Sequence, residues 1–130
     1  MAQESPYKSQ SGLARIGRAY CYSLAGLRAA WEGEHAFRQE LMLALVLIPV
    51  AMFVPGTLTQ RALLIGCVLL VLMVELLNSA VESTVDRISL EDHELARRAK
   101  DIGSAAVFIS LVNLVAVWLL VLADVFEFLD

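Results

Sequence analysis

The sequence lacks the glycine-rich loops with which soluble proteins commonly bind phosphate groups. Its seven glycines are scattered, and it contains neither a Gly-x-x-x-x-Gly-Lys-Ser/Thr loop nor a Gly-x-Gly-x-x-Gly turn. A His-Glu-x-x-His motif is also missing, and the two cysteines, Cys21 and Cys67, do not have the spacing of metal ligands. These absences argue against the common soluble nucleotide-binding folds and against a zinc site.

Charged residues are few, at 18% of the chain, whereas hydrophobic residues make up 58%, above the roughly 45–50% of a usual globular domain. The hydrophobic residues are grouped in long runs, as in an integral membrane protein. No signal peptide is predicted, because the first dozen residues are polar and the first apolar run begins near Leu41. We expect an all-α integral membrane protein in one domain, residues 1–130, with a loose tail (1–11), an N-terminal amphipathic surface helix (12–32) and three transmembrane helices (35–54, 59–86 and 102–123).

The basic residues predict how the chain is oriented in the membrane. Nine of the ten lie before the first apolar run, which begins near Leu41, or between the second and third predicted spans, and Arg61 is the exception. Cytoplasmic loops are enriched in Lys and Arg, so the N-terminus and the 87–101 connection are expected in the cytoplasm and the C-terminus outside. In that orientation both basic segments face the cytosol.

Two further segments of the sequence are informative, one before the first span and one in the third. Apolar residues recur at helical spacing from Leu13 to Trp31, which predicts a helix lying on the inner membrane surface; an ordinary surface helix packed on the spans is the alternative. The third span opens with small residues and contains Ser110 and Asn113, which favours close contacts between helices. Because three spans make a thin bundle, a homo-oligomer is expected.

An acidic face on the second span is the strongest candidate for chemistry. At 100° per residue, about one third of the helix circumference carries five polar residues, Glu75, Asn78, Ser79, Glu82 and Asp86. A carboxylate in a span costs at least about 2.5–3.5 kcal/mol on insertion scales, so Glu75 is a functional candidate. The alternative is that Glu75 and Asn78 only tie helices together.

Glu82 and Glu34 form a second candidate site, for a divalent cation. Mg²⁺ is commonly held by one or two carboxylates together with substrate phosphates, and both glutamates are expected at the inner membrane boundary. A solvated acidic rim is the alternative. The pair Lys100-Asp101 and Arg15 are candidates for contacts with phosphate, ribose or base. His93 is interpreted as an exposed loop histidine rather than a general base.

The residues themselves resemble the small prokaryotic integral-membrane diacylglycerol kinase family. The specific segment is Glu75-Leu-Leu-Asn-Ser-Ala-Val-Glu82, followed by Asp86-Arg87 and by Ala99-Lys-Asp-Ile-Gly-Ser-Ala-Ala106. Similar segments occur at 26–31 and 36–40, so the resemblance covers about residues 14–118. One departure is Ser23-Leu24-Ala25-Gly26, where the family pattern has Trp-Lys after the serine.

The resemblance implies a homotrimer in the bacterial inner membrane that transfers the ATP γ-phosphate to diacylglycerol, giving phosphatidic acid. It makes the residue matching Glu75 the general base, and those matching Glu34 and Glu82 the ligands of Mg²⁺ bound with ATP. The positions that surround the nucleotide match Arg15, Tyr22, Glu34, Glu82, Glu91, Asp92, His93, Lys100 and Asp101. Those on the lipid side or in a supporting role match Arg15, Ser23, Arg28, Trp31, Ala36, Phe37, Arg38, Gln39, Glu40, Arg61, Glu75, Asn78, Ser104 and Trp118.

Two alternative functions remain at this point. Undecaprenol kinase shares the fold and the acidic motif, and differs in the acceptor alcohol. A small membrane scaffold or an ion-conducting oligomer, with Glu75 and Asn78 lining a pore, belongs to a different class. Residues 62–74 carry almost no polar side chain, which disfavours a pore along that helix.

Overall fold

The computed structural model describes residues 11–88 and 93–127. These residues form four helices: α1 (Gly12–Gly33), α2 (His35–Phe53), α3 (Leu58–Ile88) and α4 (Glu94–Glu127). The last three are long and apolar enough to cross a membrane. The predicted all-α class with three such helices is therefore confirmed.

The chain divides into two compact units, Met1–Glu34 and His35–Asp130. In the first unit, α1 begins after Ser11, whose hydroxyl accepts a hydrogen bond from the Ala14 N–H at 3.4 Å. It ends at Glu34, whose backbone is extended and whose N–H donates to the Ala30 carbonyl at 2.9 Å. Side-chain capping at the start and extended backbone at the end thus set the length of α1.

The second unit is built around α3, which packs against both α2 and α4. α2 continues through Pro49, although a proline inside a helix removes one backbone hydrogen bond. The buried side chains where the three helices meet are small or aliphatic apart from one tryptophan: Ala44, Ala51, Val54, Leu64, Cys67, Val68, Val71, Leu114, Trp118, Val121 and Val125. Small residues on α2 permit its close approach to α3.

One buried hydrogen bond links α3 to α4 inside this core. The Trp118 indole N–H donates to the Leu64 backbone carbonyl at 3.2 Å, and the Cys67 thiol reaches the same carbonyl at 3.2 Å. Trp118 is only 8% exposed. The apolar ring of the indole is therefore buried in the core, and its polar N–H has a hydrogen-bond acceptor within the chain.

The turn between α2 and α3 is closed by polar side chains. The Thr57 hydroxyl accepts from the Gln60 N–H at 3.1 Å while the Gln60 side-chain oxygen accepts from the Thr57 N–H at 2.9 Å, a capping box. The Arg61 guanidinium donates to the Val54 carbonyl at 3.3 Å. Gln60 also donates to Asp124 of α4 at 2.6 Å. This end of the bundle is thus tied across all three helices.

α4 is longer than the third predicted span, because it begins at Glu94 rather than at residue 102. The His93 ring nitrogen Nδ1 accepts from the Leu95 N–H at 3.0 Å, and the His93 carbonyl accepts from the Arg97 N–H at 3.0 Å. The helix start is thereby capped, and the negative charge of Glu94 in the first turn interacts favourably with the positive end of the helix dipole. Most of the described part of the 87–101 connection is helical.

Replacing Trp118 by Phe should destabilise the fold by about 0.5–2 kcal/mol, because it removes the interhelical donor to the Leu64 carbonyl. The measurement is reversible unfolding in mixed detergent micelles. Phe108→Leu is the matched control, since Phe108 lies on the same helix, is 67% exposed and has no polar atom to lose. Equal stability of the Trp118→Phe and Phe108→Leu variants would mean that the hydrogen bond contributes nothing.

Candidate active site

The polar face of α3 lies on one uninterrupted helix and becomes less buried toward its C-terminal end. Glu75 is only 4% exposed, Asn78, Ser79 and Glu82 are half-buried, and Asp86 is exposed. Because a helix rises 1.5 Å per residue, Glu75 and Glu82 are about 10 Å apart along the axis. The face therefore offers one enclosed carboxylate and one partly open carboxylate.

Asn78 lies between these two glutamates and contacts α4. Its amide nitrogen donates to Glu82 Oε1 at 3.5 Å, a long hydrogen bond. Its amide oxygen is buried without a hydrogen-bond partner and lies against Gly103, so closely that a Cβ atom at residue 103 would overlap it. The position of Asn78 is thus fixed from α4 as well as from α3.

Glu75 has an acidic neighbour on α2. Glu40 interacts electrostatically with Glu75, and its Oε2 atom is buried without a hydrogen-bond partner. The Ser79 hydroxyl is likewise buried and unpartnered, whereas the Thr84 hydroxyl one turn on donates to the Ala80 carbonyl at 2.8 Å. Buried polar atoms usually have partners, so unpartnered atoms around Glu75 mark a polar interior suited to a polar ligand group.

Lys100 of α4 supplies a positive charge next to the exposed end of the acidic face. Its ammonium group lies 2.6 Å from Asp86 Oδ1 and also interacts electrostatically with Glu82. Asp101 is exposed beside it and lines an open cavity of about 660 Å³. The other residues lining this cavity are Glu94, Arg97, Arg98, Ile102 and Ala105. Charges of both signs thus surround this part of α4.

The remaining predicted residues of the first unit lie on α1 or directly after it. Arg15 is exposed and lines a shallow cavity of about 360 Å³ with Gly12, Ile16 and Ala19. The Ser23 hydroxyl donates to the Ala19 carbonyl at 2.8 Å, and Arg28 forms an ion pair with Glu32 at 2.9 Å. Tyr22 and Trp31 are exposed and Glu34 is half-buried.

The other residues predicted for the lipid side lie at different depths and distances from Glu75. Ala36 and Gln39 are exposed, Phe37 is buried and Arg38 is half-buried at the start of α2, while Ser104 is exposed on α4. Arg61 lies about 21 Å from Glu75 along α3, by helix rise, and Trp118 is paired with Leu64 in the core. The structure does not bring these two to Glu75.

His93 is exposed, as expected, and its ring caps α4. Glu91 and Asp92 lie outside the described residues. Within residues 11–88 and 93–127, no group of three or more His, Cys, Asp or Glu side chains is placed to hold a metal ion. Three interhelical interactions of the site were not anticipated: the electrostatic interaction of Glu40 with Glu75, the contact of Asn78 with Gly103, and the ion pair of Asp86 with Lys100. In the sequence, these interactions were indicated only by the polarity or small size of the residues at these positions.

Comparison with known proteins identifies the family. The model of a family described as prokaryotic diacylglycerol kinase matches residues 21–122. The chain belongs to this family. The match includes the whole acidic face of α3 together with Lys100, Asp101 and Gly103, so the predicted family is confirmed.

Individual relatives agree over nearly their full length. The diacylglycerol kinase of Pseudomonas aeruginosa is 54% identical over 118 residues, which cover 91% of this chain and 96% of the relative. That of Haemophilus influenzae is 51% identical over 112 residues, covering 86% and 94%, and that of Escherichia coli K12 is 49% identical over 112 residues, covering 86% and 92%. A kinase is therefore favoured over a membrane scaffold or a channel.

Proposed function

We propose that this chain transfers the γ-phosphate of ATP to the free hydroxyl of diacylglycerol, giving phosphatidic acid and ADP, with Glu75 as the general base. The observation that carries the proposal is the burial of Glu75, 4% exposed, directly after the apolar run 62–74 of a membrane-spanning helix, in a chain from a kinase family. An enclosed carboxylate at such a position is costly and marks a functional site. The family membership supports the choice of diacylglycerol as the acceptor.

Phosphoryl transfer depends mainly on positioning and on neutralising charge. The hydroxyl oxygen of the lipid attacks the γ-phosphorus as Glu75 takes the hydroxyl proton, and the bond to the oxygen bridging the β- and γ-phosphates breaks, which releases ADP. Glu40, Asn78 and Ser79 surround Glu75 with polar atoms, three of them buried and unpartnered. These buried polar atoms are available to hydrogen-bond the lipid hydroxyl in a region from which bulk water is largely excluded.

Glu82 and Glu34 are proposed to hold Mg²⁺ that arrives with ATP. Glu82 fits this role, because it is half-buried and its only described hydrogen bond is the long contact with Asn78. A site of one or two carboxylates completed by phosphate oxygens is usual for Mg²⁺. When bound, Mg²⁺ would neutralise negative charge on the phosphates.

Lys100 is proposed to contact the phosphates of ATP, since its ammonium group lies beside the exposed end of the acidic face. Asp101, His93 and Arg15 are exposed and available for ribose, base or phosphate contacts. The family resemblance adds Tyr22, Glu91 and Asp92 to the nucleotide site. Each of these contacts remains a proposal.

The chain is proposed to lie in the bacterial inner membrane as a homotrimer, with the N-terminus and the 87–101 segment cytoplasmic and the C-terminus outside. The distribution of Lys and Arg supports the orientation. Large apolar side chains of the three long helices remain exposed, among them Leu45, Val46, Phe108 and Leu120, which supports contact with lipid and other subunits. α1 also exposes Leu13, Ile16 and Trp31, as a helix on the membrane surface would.

The acceptor is tested with purified protein in detergent micelles containing Mg²⁺ and radiolabelled ATP, with diacylglycerol or undecaprenol added separately. Labelled phosphatidic acid is the expected product, formed faster than labelled undecaprenyl phosphate. If undecaprenyl phosphate were the sole labelled product, diacylglycerol would be excluded as the acceptor, but the proposed kinase mechanism would stand. If a folded oligomer labelled neither alcohol, both the proposed acceptor and the proposed kinase mechanism would be overturned.

The substitution Glu75→Gln should lower kcat by about 10²- to 10⁴-fold, because the amide cannot take the hydroxyl proton. Mg-ATP affinity, measured by equilibrium binding, should stay close to that of the unchanged protein. Glu127→Gln, which alters an exposed carboxylate at the other end of the bundle, is the matched control. A Glu75→Gln variant with undiminished turnover would exclude Glu75 as the base.

The substitutions Glu82→Gln and Glu34→Gln should each weaken Mg-ATP binding, because a neutral amide is a poorer Mg²⁺ ligand than a carboxylate. The expected result is a rise in the Mg²⁺ concentration needed for half-maximal binding, recorded by titrating Mg²⁺ at fixed ATP. Glu127→Gln again serves as the control. Unchanged Mg²⁺ dependence in both variants would place the metal elsewhere.

A further inference from the structure

Gly103 of α4 differs from the other glycines inside helices. A Cβ atom built at residue 103 would overlap the Asn78 amide oxygen, whereas one built at Gly17, Gly26 or Gly66 would meet nothing within 4 Å. The missing side chain at residue 103 is therefore a requirement of the contact with Asn78. Helix propensity would favour alanine at every one of these positions.

The contact determines where the Asn78 amide lies relative to Glu82. The amide oxygen faces Gly103 and is buried, while the amide nitrogen donates to Glu82 Oε1 at 3.5 Å. Moving the amide away from α4 would necessarily change this interaction, because both atoms belong to one rigid planar group. The backbone of α4 is thus connected through Asn78 to the carboxylate proposed to bind Mg-ATP.

α4 cannot easily move away to make room for a side chain at residue 103. Lys100 pairs with Asp86 at 2.6 Å one turn before Gly103, and Trp118 donates to the Leu64 carbonyl at 3.2 Å further along the helix. Moving α4 would disturb these contacts on both sides of Gly103, whereas the Asn78 side chain can rotate about its own bonds. A methyl group at residue 103 would therefore displace the Asn78 side chain rather than the helix.

We propose that Gly103 is a positioning residue for nucleotide binding: its lack of a side chain sets the orientation of Asn78, and Asn78 in turn orients Glu82. This inference rests on the proposed function, because the consequence is expressed in Mg-ATP binding. Groups that orient a metal ligand typically affect metal affinity by roughly 10- to 100-fold when they are removed. Gly103 acts through Asn78 and touches no substrate itself.

The decisive experiment compares Gly103→Ala with Gly66→Ala, since Gly66 lies within α3 and its added methyl group would meet nothing. Gly103→Ala should raise the KM for Mg-ATP by roughly 10-fold or more, with a much smaller change in the KM for diacylglycerol. Gly66→Ala should leave both constants unchanged. Equal behaviour of the two variants would overturn the proposal.

A double-mutant cycle with Asn78→Ala tests whether Gly103 acts through Asn78. In the Asn78→Ala background the collision is absent, so adding Gly103→Ala should cause no further loss of Mg-ATP affinity. If the two substitutions each lowered Mg-ATP affinity and the double variant showed the product of the two losses, the proposal would be overturned. If Gly103→Ala alone fails to fold, the double variant should fold and bind Mg-ATP as Asn78→Ala does; failure of that variant would also overturn it.

One readout is independent of kinase activity. The side-chain amide resonance of ¹⁵N-labelled Asn78 in detergent micelles should shift in Gly103→Ala and stay in place in Gly66→Ala. An unshifted resonance would exclude the contact, whatever the enzyme does. A shifted resonance in a protein that phosphorylates no lipid would support the Gly103–Asn78 contact while the proposed function failed.

Discussion

Burial of the Glu75 carboxyl group is the constraint on which the rest of the bundle depends. On insertion scales a carboxylate at the centre of a span costs about 2.5–3.5 kcal/mol, and simulations of charged side chains give larger values. Polar groups are therefore expected at this level. Asn78 and Ser79 of α3 supply them, whereas Glu40 of α2 adds a second acidic group whose like charge increases the cost, and the absence of a side chain at Gly103 leaves room for Asn78. The apolar core lies in the other half of the bundle.

This arrangement separates the stabilising contacts from the site along α3. The Trp118–Leu64 hydrogen bond lies about 16 Å from Glu75 by helix rise, and the Gln60–Asp124 contact lies further still. At that end, none of the described buried side-chain polar atoms lacks a hydrogen-bond partner. The half around Glu75 retains unpartnered polar atoms, as expected of a region that gives up stability for binding.

Much of this architecture follows from one-dimensional patterns. Long apolar runs predict the helices, the 100° rotation per residue places Glu75, Asn78 and Glu82 on one face, and Pro55-Gly56 marks the turn. The electrostatic interaction of Glu40 with Glu75 and the contact of Gly103 with Asn78 depend on how α2 and α4 register against α3, which no local pattern encodes. The first turns of α4 precede the third predicted span, and the residue that caps them, His93, does so through a ring nitrogen, outside the usual set of capping residues.

The absence of a glycine-rich phosphate loop has a physical explanation in this fold. Such loops bind phosphate through free backbone N–H groups, whereas helices in a bilayer must use theirs internally. The start of α4 is a place where free N–H groups would be expected, and there the His93 ring already accepts from Leu95. The proposed site instead assigns phosphate recognition to side chains such as Lys100 and to a cation held by carboxylates. In that proposal, charged side chains of helices near the membrane boundary take the place of the loop, and a glycine such as Gly103 serves a contact between helices.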